Sequence, residues 1–266
     1  MAIFSKLKGF FQKRWIKIPL LLLLVAFLGT FIWRSCNQEV NAHKIYIIGR
    51  SANLAPLKFE GKEPNVLAFE SDILTAIAQK EQLRVHLVTL SDTNLFGPLD
   101  QETYDAIIAA VVPNPLMKER YAISEPIFYG GPVLVVREDS TVTTLKELQG
   151  RGIAIESGSP MIFKLSQENL LLVSYRNMIS ALEDLNRGVI EGVILEANLA
   201  YTYTNGFYKD KLKVATSPLT DLGLRLIARK DSSGEYLITH FNKGLKELEE
   251  SGEYAKLIDK WELIEP

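Results

Sequence analysis

The 266-residue chain has very few of the residues that build metal centres and covalent cross-links. It contains one cysteine and three histidines, His43, His86 and His240, which are scattered along the chain. A single cysteine excludes an intramolecular disulfide and a zinc site built from several cysteines, and the histidines have no partner at metal-ligand spacing. We therefore expect neither a structural metal site nor a cofactor.

Acidic residues outnumber basic ones outside the N-terminus. The formal net charge is −2, but residues 1–36 carry six basic residues and no acidic one. The remainder therefore has 24 basic and 32 acidic residues and a net charge of −8. Because an acidic surface repels phosphate groups, this composition argues against nucleic-acid binding.

Residues 1–36 combine a basic start with a single long apolar run. Five positive charges between Lys6 and Lys17 precede 16 uncharged residues, 18–33. This order is typical of an export signal, although the run is shorter than the roughly 20 residues of a membrane-spanning helix. The excess of basic residues before the run places the rest of the chain outside the cytoplasm. We predict that 1–36 is a signal or membrane-anchor segment and that the body is periplasmic or extracytoplasmic, attached to the cytoplasmic membrane.

Cys36 follows the apolar run at the position of the lipidated cysteine of a bacterial lipoprotein. Its flank, Trp33-Arg34-Ser35, lacks the small and aliphatic residues that precede such a cysteine. Two interpretations stay open: lipidation at Cys36, or an incidental cysteine beside an uncleaved anchor. Both attach the body of the protein to a membrane.

From residue 44 onward, short β-rich runs alternate with amphipathic helical patterns. This alternation is typical of βα units that feed largely parallel sheets, so the predicted fold class is α/β. Strands are predicted at residues 44–48, 84–90, 105–109, 133–137, 152–155, 171–175, 189–195, 212–215 and 223–228. The spacing of apolar residues predicts one helix that ends near Lys80, one that ends before Gly188 and one from Tyr236 to Leu248.

Two clusters of turn-forming residues, 139–141 and 217–218, divide the body of the chain. We predict that residues 37–135 and 216–266 form lobe 1 and that residues 136–215 form an inserted lobe 2. A chain that leaves one lobe and returns to it crosses between the lobes twice. Two crossings imply a hinge.

Nine short segments, spread over nearly all of residues 44–262, follow one another in a characteristic order. They are LAPLKF at 54–59, FESDI at 69–73, YDAI at 104–107, ISEPIFY at 123–129, LKELQG at 145–150, ESGS at 156–159, LNRGVIEG at 185–192, SGEY at 251–254 and KW at 260–261. In this order they resemble the extracytoplasmic solute-binding proteins of ABC importers, of the amino-acid-binding type known as family 3.

The resemblance implies a bilobed periplasmic-binding-protein fold, with two α/β lobes joined by two crossing strands. Such lobes close on a small molecule in the cleft between them, because the ligand contacts both lobes only in the closed state. A permease in the membrane then recognises the closed form. The resemblance further implies a monomer whose partners are a small-molecule solute and an ABC permease. It implies that the protein is not an enzyme.

The resemblance also implies where the ligand contacts of lobe 1 lie, and here the chain departs from the family pattern. In amino-acid binders an arginine seven residues before the Ser or Thr of the ISEPIFY-like segment grips the ligand carboxylate; counting back from Ser124 gives Met117. The hydroxyl positions fall on Ala110 and Val112, and an aromatic position falls on Leu54. Because an apolar pocket disfavours a carboxylate, we expect no carboxylate clamp there.

Four further residues are candidate ligand contacts. Arg50, just after the first strand, is a substitute anion contact. Ser157 and Ser159 belong to a turn that leads through Pro160 into a predicted helix, which either binds an anion or carbonyl or is simply capped. Glu196, at the end of a predicted strand, matches the family's acid that accepts the ligand's amino group; a salt-bridged or solvated acid is the alternative.

The leading hypothesis is a membrane-tethered substrate-binding protein of an ABC transporter that captures an amino-acid-like or amine-bearing solute. One alternative is an enzyme resembling cyclohexadienyl dehydratase, which has the same bilobed fold. In that case Glu196, beside Leu54, Val112 and Met117, is the proton donor. The other alternative is a sensor or scaffold whose cleft serves no transport.

Overall fold

The computed structural model describes residues 43–57, 59, 61–90 and 94–264. From Ile45 onward these residues form one compact unit. The predicted signal or anchor segment 1–36 and the candidate lipidation site Cys36 lie outside the described residues. Within the described ranges, no helix has the length and apolar character that a membrane crossing requires.

Ten β-strands form two five-stranded sheets in the described part of the chain. They are β1 Ile45–Ser51, β2 Arg84–Leu90, β3 Ala106–Val111, β4 Tyr121–Tyr129, β5 Pro132–Arg137, β6 Gly152–Glu156, β7 Leu171–Tyr175, β8 Gly192–Glu196, β9 Leu212–Val214 and β10 Gly223–Arg229. The first sheet has the order β2-β1-β3-β10-β4 and the second the order β7-β6-β8-β5-β9. In each sheet the first three strands in the order pair in parallel, and one strand, β10 in the first sheet and β5 in the second, pairs antiparallel with both of its neighbours.

Helices connect the strands and cover the sheets. They are α1 Glu63–Lys80, α2 Phe96–Asp100, α3 Pro115–Arg120, α4 Met161–Leu165, α5 Met178–Asn186, α6 Ala197–Asn205, α7 Ser232–Ser251 and α8 Glu253–Lys260, with one 3₁₀ turn at Leu145–Leu148. The predicted α/β class is therefore confirmed. The helix ending at Lys80 is also confirmed, and α5 ends just before Gly188, which has a positive φ of 74°.

The core of the first sheet is formed largely by its two longest helices. Phe69 and Ile73 of α1 and Phe241 of α7 are fully buried in one apolar cluster with the inward side chains of the sheet. Gly244 lets α7 approach α1 closely, since a Cβ there would lie 2.9 Å from a methyl carbon of Ile77. Burial of each such side chain contributes about 1.5–3 kcal/mol, so this packing fixes the sheet that carries the lobe-1 cavity described below.

One strand, β4, was not predicted. Pro126 and the polar pair Ser124 and Glu125 interrupt the alternation by which a strand is recognised. The pairing of β4 with β10 is correspondingly irregular, with register shifts on either side of Arg225. Tertiary pairing, rather than the local pattern, makes this segment a strand.

The chain crosses between the two sheets twice. The first crossing, from Tyr129 to Pro132, has only two residues between the strands, and the second joins β9 to β10. At Gly131 a Cβ would lie 2.6 Å from Oγ1 and 2.8 Å from the carbonyl oxygen of Thr220 in the second crossing. Glycine therefore allows the two crossing segments to lie side by side.

The first crossing lies earlier than the predicted lobe boundary between residues 135 and 136. That boundary falls inside β5, which pairs with β8 and β9 of the second sheet. The division into lobe 1 and lobe 2 stays a prediction, and below we assign β5 to lobe 2 because its pairing partners belong there.

The crossings adjoin one particular edge of each sheet. In the first sheet, Gly223 pairs with Val111 at the end of β3 and with Tyr129 at the end of β4. In the second sheet, Pro132 pairs with Glu196 at the end of β8. The carboxyl ends of the parallel strands in both sheets therefore lie beside the crossings, where α/β proteins commonly bind ligands.

Candidate functional site

Lobe 2 contains a pocket of about 410 Å³ at the carboxyl ends of β6, β7 and β8. Three charged residues line it: Glu156 ends β6, Arg176 follows β7, and Glu196 ends β8. The strand register explains why they meet, because Glu156 pairs with Tyr175, the residue before Arg176, and β6 lies between β7 and β8. The parallel sheet thus collects these side chains at one edge.

Glu196 occupies the junction between β8 and α6. It is partly buried, and its Oε2 atom is shielded from solvent. Although Glu196 stands at the N-cap position of α6, its side chain does not cap that helix. The structure therefore places the Glu196 carboxylate in the pocket wall, where it can contact a ligand.

The two predicted serines have different positions. Ser159 lines the pocket, and its Oγ accepts the N–H of Met161 at 3.3 Å. Ser157 is exposed, and its N–H donates to the carbonyl oxygen of Tyr175 at 2.8 Å. The helix begins at Met161, one residue later than predicted, and is only five residues long. The N-cap position is taken by Pro160 and not by Ser159, whose hydroxyl instead contacts the start of the helix through the Met161 N–H; Ser157 is not among the described residues that line the pocket.

The remaining wall of the pocket is largely apolar. Met178, Leu199 and Tyr203 contribute side chains to it, and Asn177 lies beside Arg176. Asn177 caps α5, because its Oδ1 accepts the N–H of Ile179 at 2.9 Å. The pocket therefore offers charged groups on the strand ends and apolar surface from the following helices.

Lobe 1 contains a smaller cavity of about 140 Å³ at the carboxyl ends of β1 and β3. Leu54 and Ala110 both line it, as does Phe96 from α2, and all of the described lining residues are uncharged. The structure thus brings together two of the residues that the family resemblance indicated.

Val112 and Met117 lie apart from the described lining of this cavity. Val112, just beyond β3, is 47% exposed. Met117 lies on α3, whose first turn is fixed by Asn114, the Oδ1 of which accepts the Met117 N–H at 2.9 Å. Its side chain packs against the buried cluster of Leu95, Leu99, Ile107, Tyr121 and Ile227. Met117 therefore serves the packing of lobe 1 in this structure.

Arg50 is engaged within lobe 1. Its Nε donates to Thr89 Oγ1 at 3.0 Å, and its Nη1 donates to the Leu67 carbonyl oxygen at 2.6 Å and to Ser71 Oγ at 3.0 Å. Nη1 also lies 3.6 Å from Oε1 of Glu70. These contacts join β1 to β2 and α1, and Arg50 is not among the described residues that line the cavity.

Glu70 is fully buried beneath Arg50. Burial raises the pKa of Glu70 to about 8, and the nearby Arg50 offsets only part of this effect. At neutral pH the carboxyl group is therefore largely protonated. Its contact with Arg50 is then that of a cation with a neutral acid, which serves the packing of lobe 1.

Other arginines of lobe 1 are also engaged internally. Arg120, on α3, pairs with Asp100 at 3.0 Å. Arg225 is buried, donates to the Ser124 carbonyl oxygen at 2.9 Å and pairs with Asp221. The described residues of lobe 1 thus direct these guanidinium groups toward their own lobe.

Glu156 and Arg176 were missed as site residues. Each stands at or directly after the end of a correctly predicted parallel strand, and this position was the available signal. Within the described ranges, no group of three or more His, Cys, Asp or Glu residues could hold a metal ion.

Comparison with known families gives a match over most of the chain. A family model described as bacterial extracellular solute-binding proteins, family 3, matches residues 46–263. The chain is 29% identical over 264 residues to the arginine-binding extracellular protein ArtP of Bacillus subtilis, which covers 94% of this chain and 98% of that protein. It is 25% identical to ABC transporter arginine-binding protein 1 of Escherichia coli, with 90% and 98% covered.

Solved structures share the fold. The L-cystine solute receptor of Neisseria gonorrhoeae superposes with a TM-score of 0.65 at 19% identity, covering 85% of this chain and 95% of that chain. The second substrate-binding domain of a putative amino acid ABC transporter from Streptococcus pneumoniae gives a TM-score of 0.58 at 22% identity, with 81% and 99% covered. The predicted bilobed fold is therefore confirmed.

Proposed function

Because the chain belongs to the bacterial extracellular solute-binding proteins of family 3, we propose that it captures a small amino-acid-like or amine-bearing solute and delivers it to an ABC permease. The solute is bound in the cleft between lobe 1 and lobe 2. The protein acts as a binding protein and performs no chemistry on its solute.

The observation that carries this proposal is the position of Glu196. Its carboxylate lines the lobe-2 pocket at the sheet edge beside the crossings, and apolar side chains form much of the remaining wall. A carboxylate in such surroundings favours an ammonium or guanidinium group of a ligand. The arginine-binding names of two relatives agree with a cationic solute.

The lobe-2 pocket and the lobe-1 cavity explain why a solute would close the two lobes. The larger pocket is lined by lobe-2 residues and the smaller cavity by lobe-1 residues, and both lie at sheet edges that adjoin the crossings. A solute that touches both binds more tightly when the lobes approach each other, and this differential affinity shifts the population toward the closed state. The permease then distinguishes loaded from empty protein by shape.

Attachment to the outer face of the cytoplasmic membrane completes the proposal. It rests on the basic start and apolar run of residues 1–36 and on the position of Cys36. Metabolic labelling with a radioactive fatty acid tests lipidation: label that is lost in C36S indicates a lipoprotein. Absence of label, with the chain still in the membrane fraction, indicates an uncleaved anchor.

The two alternatives receive less support. Glu196 lies in the lobe-2 pocket, whereas Met117, expected beside it in the dehydratase hypothesis, packs into a cluster of lobe 1. No described feature favours dehydration chemistry over binding. The sensor or scaffold alternative differs from our proposal in predicting no ligand.

Thermal unfolding of the full chain in detergent solution tests the proposal against a panel of amino acids, polyamines, peptides and organic acids. A true ligand stabilises the folded state by RT ln(1 + [L]/Kd), about 2.7 kcal/mol at a hundredfold excess over Kd. We expect at least one amine-bearing member to raise the melting temperature, with titration calorimetry giving its Kd. If no member of the panel does so, the binding proposal fails and the scaffold alternative gains support.

A further inference from the structure

We infer that Arg176 binds the carboxylate of the solute, so that lobe 2 alone holds both charged ends of a free α-amino acid. This inference rests on the proposed solute-binding function and names its substrate class. It also accounts for the missing arginine at Met117, because the carboxylate contact lies on the other lobe.

The position of Arg176 supports this role. It is the first residue after β7, and its neighbour Tyr175 pairs with Glu156 of the central strand β6. Glu196 ends β8 on the far side of β6. With about 4.8 Å between neighbouring strands, the backbones of Arg176 and Glu196 are roughly 10 Å apart, a gap that their side chains and a small zwitterion together can bridge.

The guanidinium group of Arg176 is available for a ligand. It lines the pocket, and no residue in the described ranges forms a hydrogen bond or ion pair with it. Arg50, Arg120 and Arg225 of lobe 1, in contrast, are held by their own neighbours. Arg176 therefore keeps its planar set of donors, which matches a carboxylate in bidentate geometry.

The backbone next to Arg176 is also held in place by a helix cap. The next residue, Asn177, caps α5 through the hydrogen bond from the Ile179 N–H to its Oδ1. This cap ties the segment after β7 to the helix and limits the directions open to the Arg176 side chain. A contact of this kind loses less conformational entropy on binding than one from a mobile loop.

The charges of the pocket match a zwitterion. Glu196 suits the α-ammonium group and Arg176 suits the carboxylate. Glu156 is a second carboxylate in the same wall, so the pocket also suits an amino acid with a cationic side chain. An amine without a carboxylate would instead bring its positive charge to a pocket that already contains the Arg176 guanidinium.

Matched ligands isolate the carboxylate contact. We would measure Kd by titration calorimetry on the full chain in detergent, slightly below neutral pH, for L-arginine against L-argininamide and for L-histidine against L-histidinamide. The wild type should prefer the acid over its amide by about tenfold or more, the size of a charge-assisted contact. In R176Q this preference should vanish: acid affinity should fall, whereas amide affinity should stay unchanged or rise, because the repulsion between Arg176 and the cationic amide is removed.

R84Q is the matched control, because Arg84 is an exposed arginine at the start of β2 and lies outside the described pocket lining. It should leave both affinities unchanged, and thermal unfolding without ligand should show that both variants fold. The inference fails if the wild type does not prefer the acid, if R176Q keeps the preference, or if R176Q weakens acid and amide equally. If neither the four probes nor the wider amino-acid panel binds the wild type, the proposed solute-binding function itself fails.

Discussion

The two lobes use their charged residues in different ways. In lobe 1, Arg50 and Arg225 are engaged by neighbours in their own lobe, and the cavity at the strand ends is lined by uncharged described residues. In lobe 2, Glu156, Arg176 and Glu196 line the pocket at the strand ends. From this comparison we infer that equivalent sheet edges have different tasks: lobe 2 would recognise the charged groups of a solute, and lobe 1 would cover it with an uncharged, largely apolar surface.

This division has a physical advantage. Charged contacts are stronger where water is excluded, and an apolar cover excludes water without introducing charges that need partners of their own. Closure of lobe 1 over a solute held by lobe 2 would thus strengthen contacts that already exist. Four predictions test this comparison.

The largest expected effect on solute affinity comes from removing the charge of Glu196 in lobe 2. Glu196→Gln keeps the size of the side chain but removes the charge that binds an ammonium group. We expect affinity for the solute found in the thermal screen to fall by about thirtyfold or more, since losing one partner of a buried charge pair costs about 2–5 kcal/mol. Titration calorimetry measures the change.

The control for this variant is Glu168→Gln, which changes an exposed acid of the same lobe outside the described pocket lining. It should leave affinity unchanged within twofold. Equal affinities for the wild type and E196Q would show that lobe 2 does not recognise the solute through this carboxylate, and the contrast between the lobes would be lost.

The second prediction concerns the buried acid of lobe 1, which should affect stability and not binding. Glu70 has an ordinary pKa of 4.5, and burial raises its folded-state pKa to about 8. Between these values the unfolded chain releases a proton that the folded chain keeps, so stability falls as the pH rises, by roughly 2 kcal/mol between pH 5 and pH 7. Above the folded-state pKa the destabilisation is complete.

Glu70→Gln resembles the protonated acid and cannot ionise. Chemical denaturation at several pH values should therefore show a weaker decline in stability for E70Q than for the wild type over this range, with solute affinity unchanged at neutral pH. Identical pH profiles for both proteins would mean that Glu70 ionises normally within the folded protein, contrary to its burial.

The third prediction tests the apolar cover. Ala110→Phe places an aromatic ring in a cavity of about 140 Å³. The added bulk should hinder the approach of lobe 1 to the solute and weaken binding about tenfold, with overpacking costing folding stability on the order of 1–3 kcal/mol. Ala110→Ser, nearly the same size, is the control and should retain wild-type affinity. Unchanged affinity in A110F would show that this cavity does not meet the solute.

The smallest overall effect is expected at Met117. Because its side chain packs against Leu95, Leu99 and the other residues of its cluster, Met117→Ala should reduce stability by about 1 kcal/mol and leave affinity unchanged within twofold. Thermal unfolding and calorimetry separate the two quantities. A tenfold change in affinity would instead assign Met117 to the ligand site and give lobe 1 a direct role in recognition.

Periodicity predicted most of the strands because alternating or continuous apolar runs are a local property of the chain. The strand at Gly192–Glu196 was expected from residue 189, yet it begins later because the Val189 N–H donates to the Asp184 carbonyl oxygen in the turn that ends α5. The strand at Tyr121–Tyr129 was missed since its polar residues and Pro126 are accommodated by an irregular partner strand. A strand that depends on such tertiary pairing cannot be recognised from its local sequence pattern.

A residue of the candidate site could be predicted where a local or family pattern marks its position. Glu196 was predicted from its place at the end of a strand together with the family pattern, and Leu54 and Ala110 from the family pattern alone. Arg176 and Glu156 were not, because a charged residue after a strand is usually a solvated one. Only the order β7-β6-β8, which depends on non-local pairing, brings them into one wall with Glu196.

The sequence by itself determined the α/β class, the family and the two crossings, because these follow from local periodicity and from the order of short motifs. Tertiary structure alone decided which charged residues face the pocket and which are engaged within their own lobe. Arg50 and Arg176 illustrate the difference. Arg50 was expected just after the first strand but is the next-to-last residue of β1, and it meets acceptors on α1 and β2, whereas Arg176 directly follows β7 and lines the lobe-2 pocket. Acceptors distant in sequence make that choice, through hydrogen bonds that form only when the sheets and helices pack.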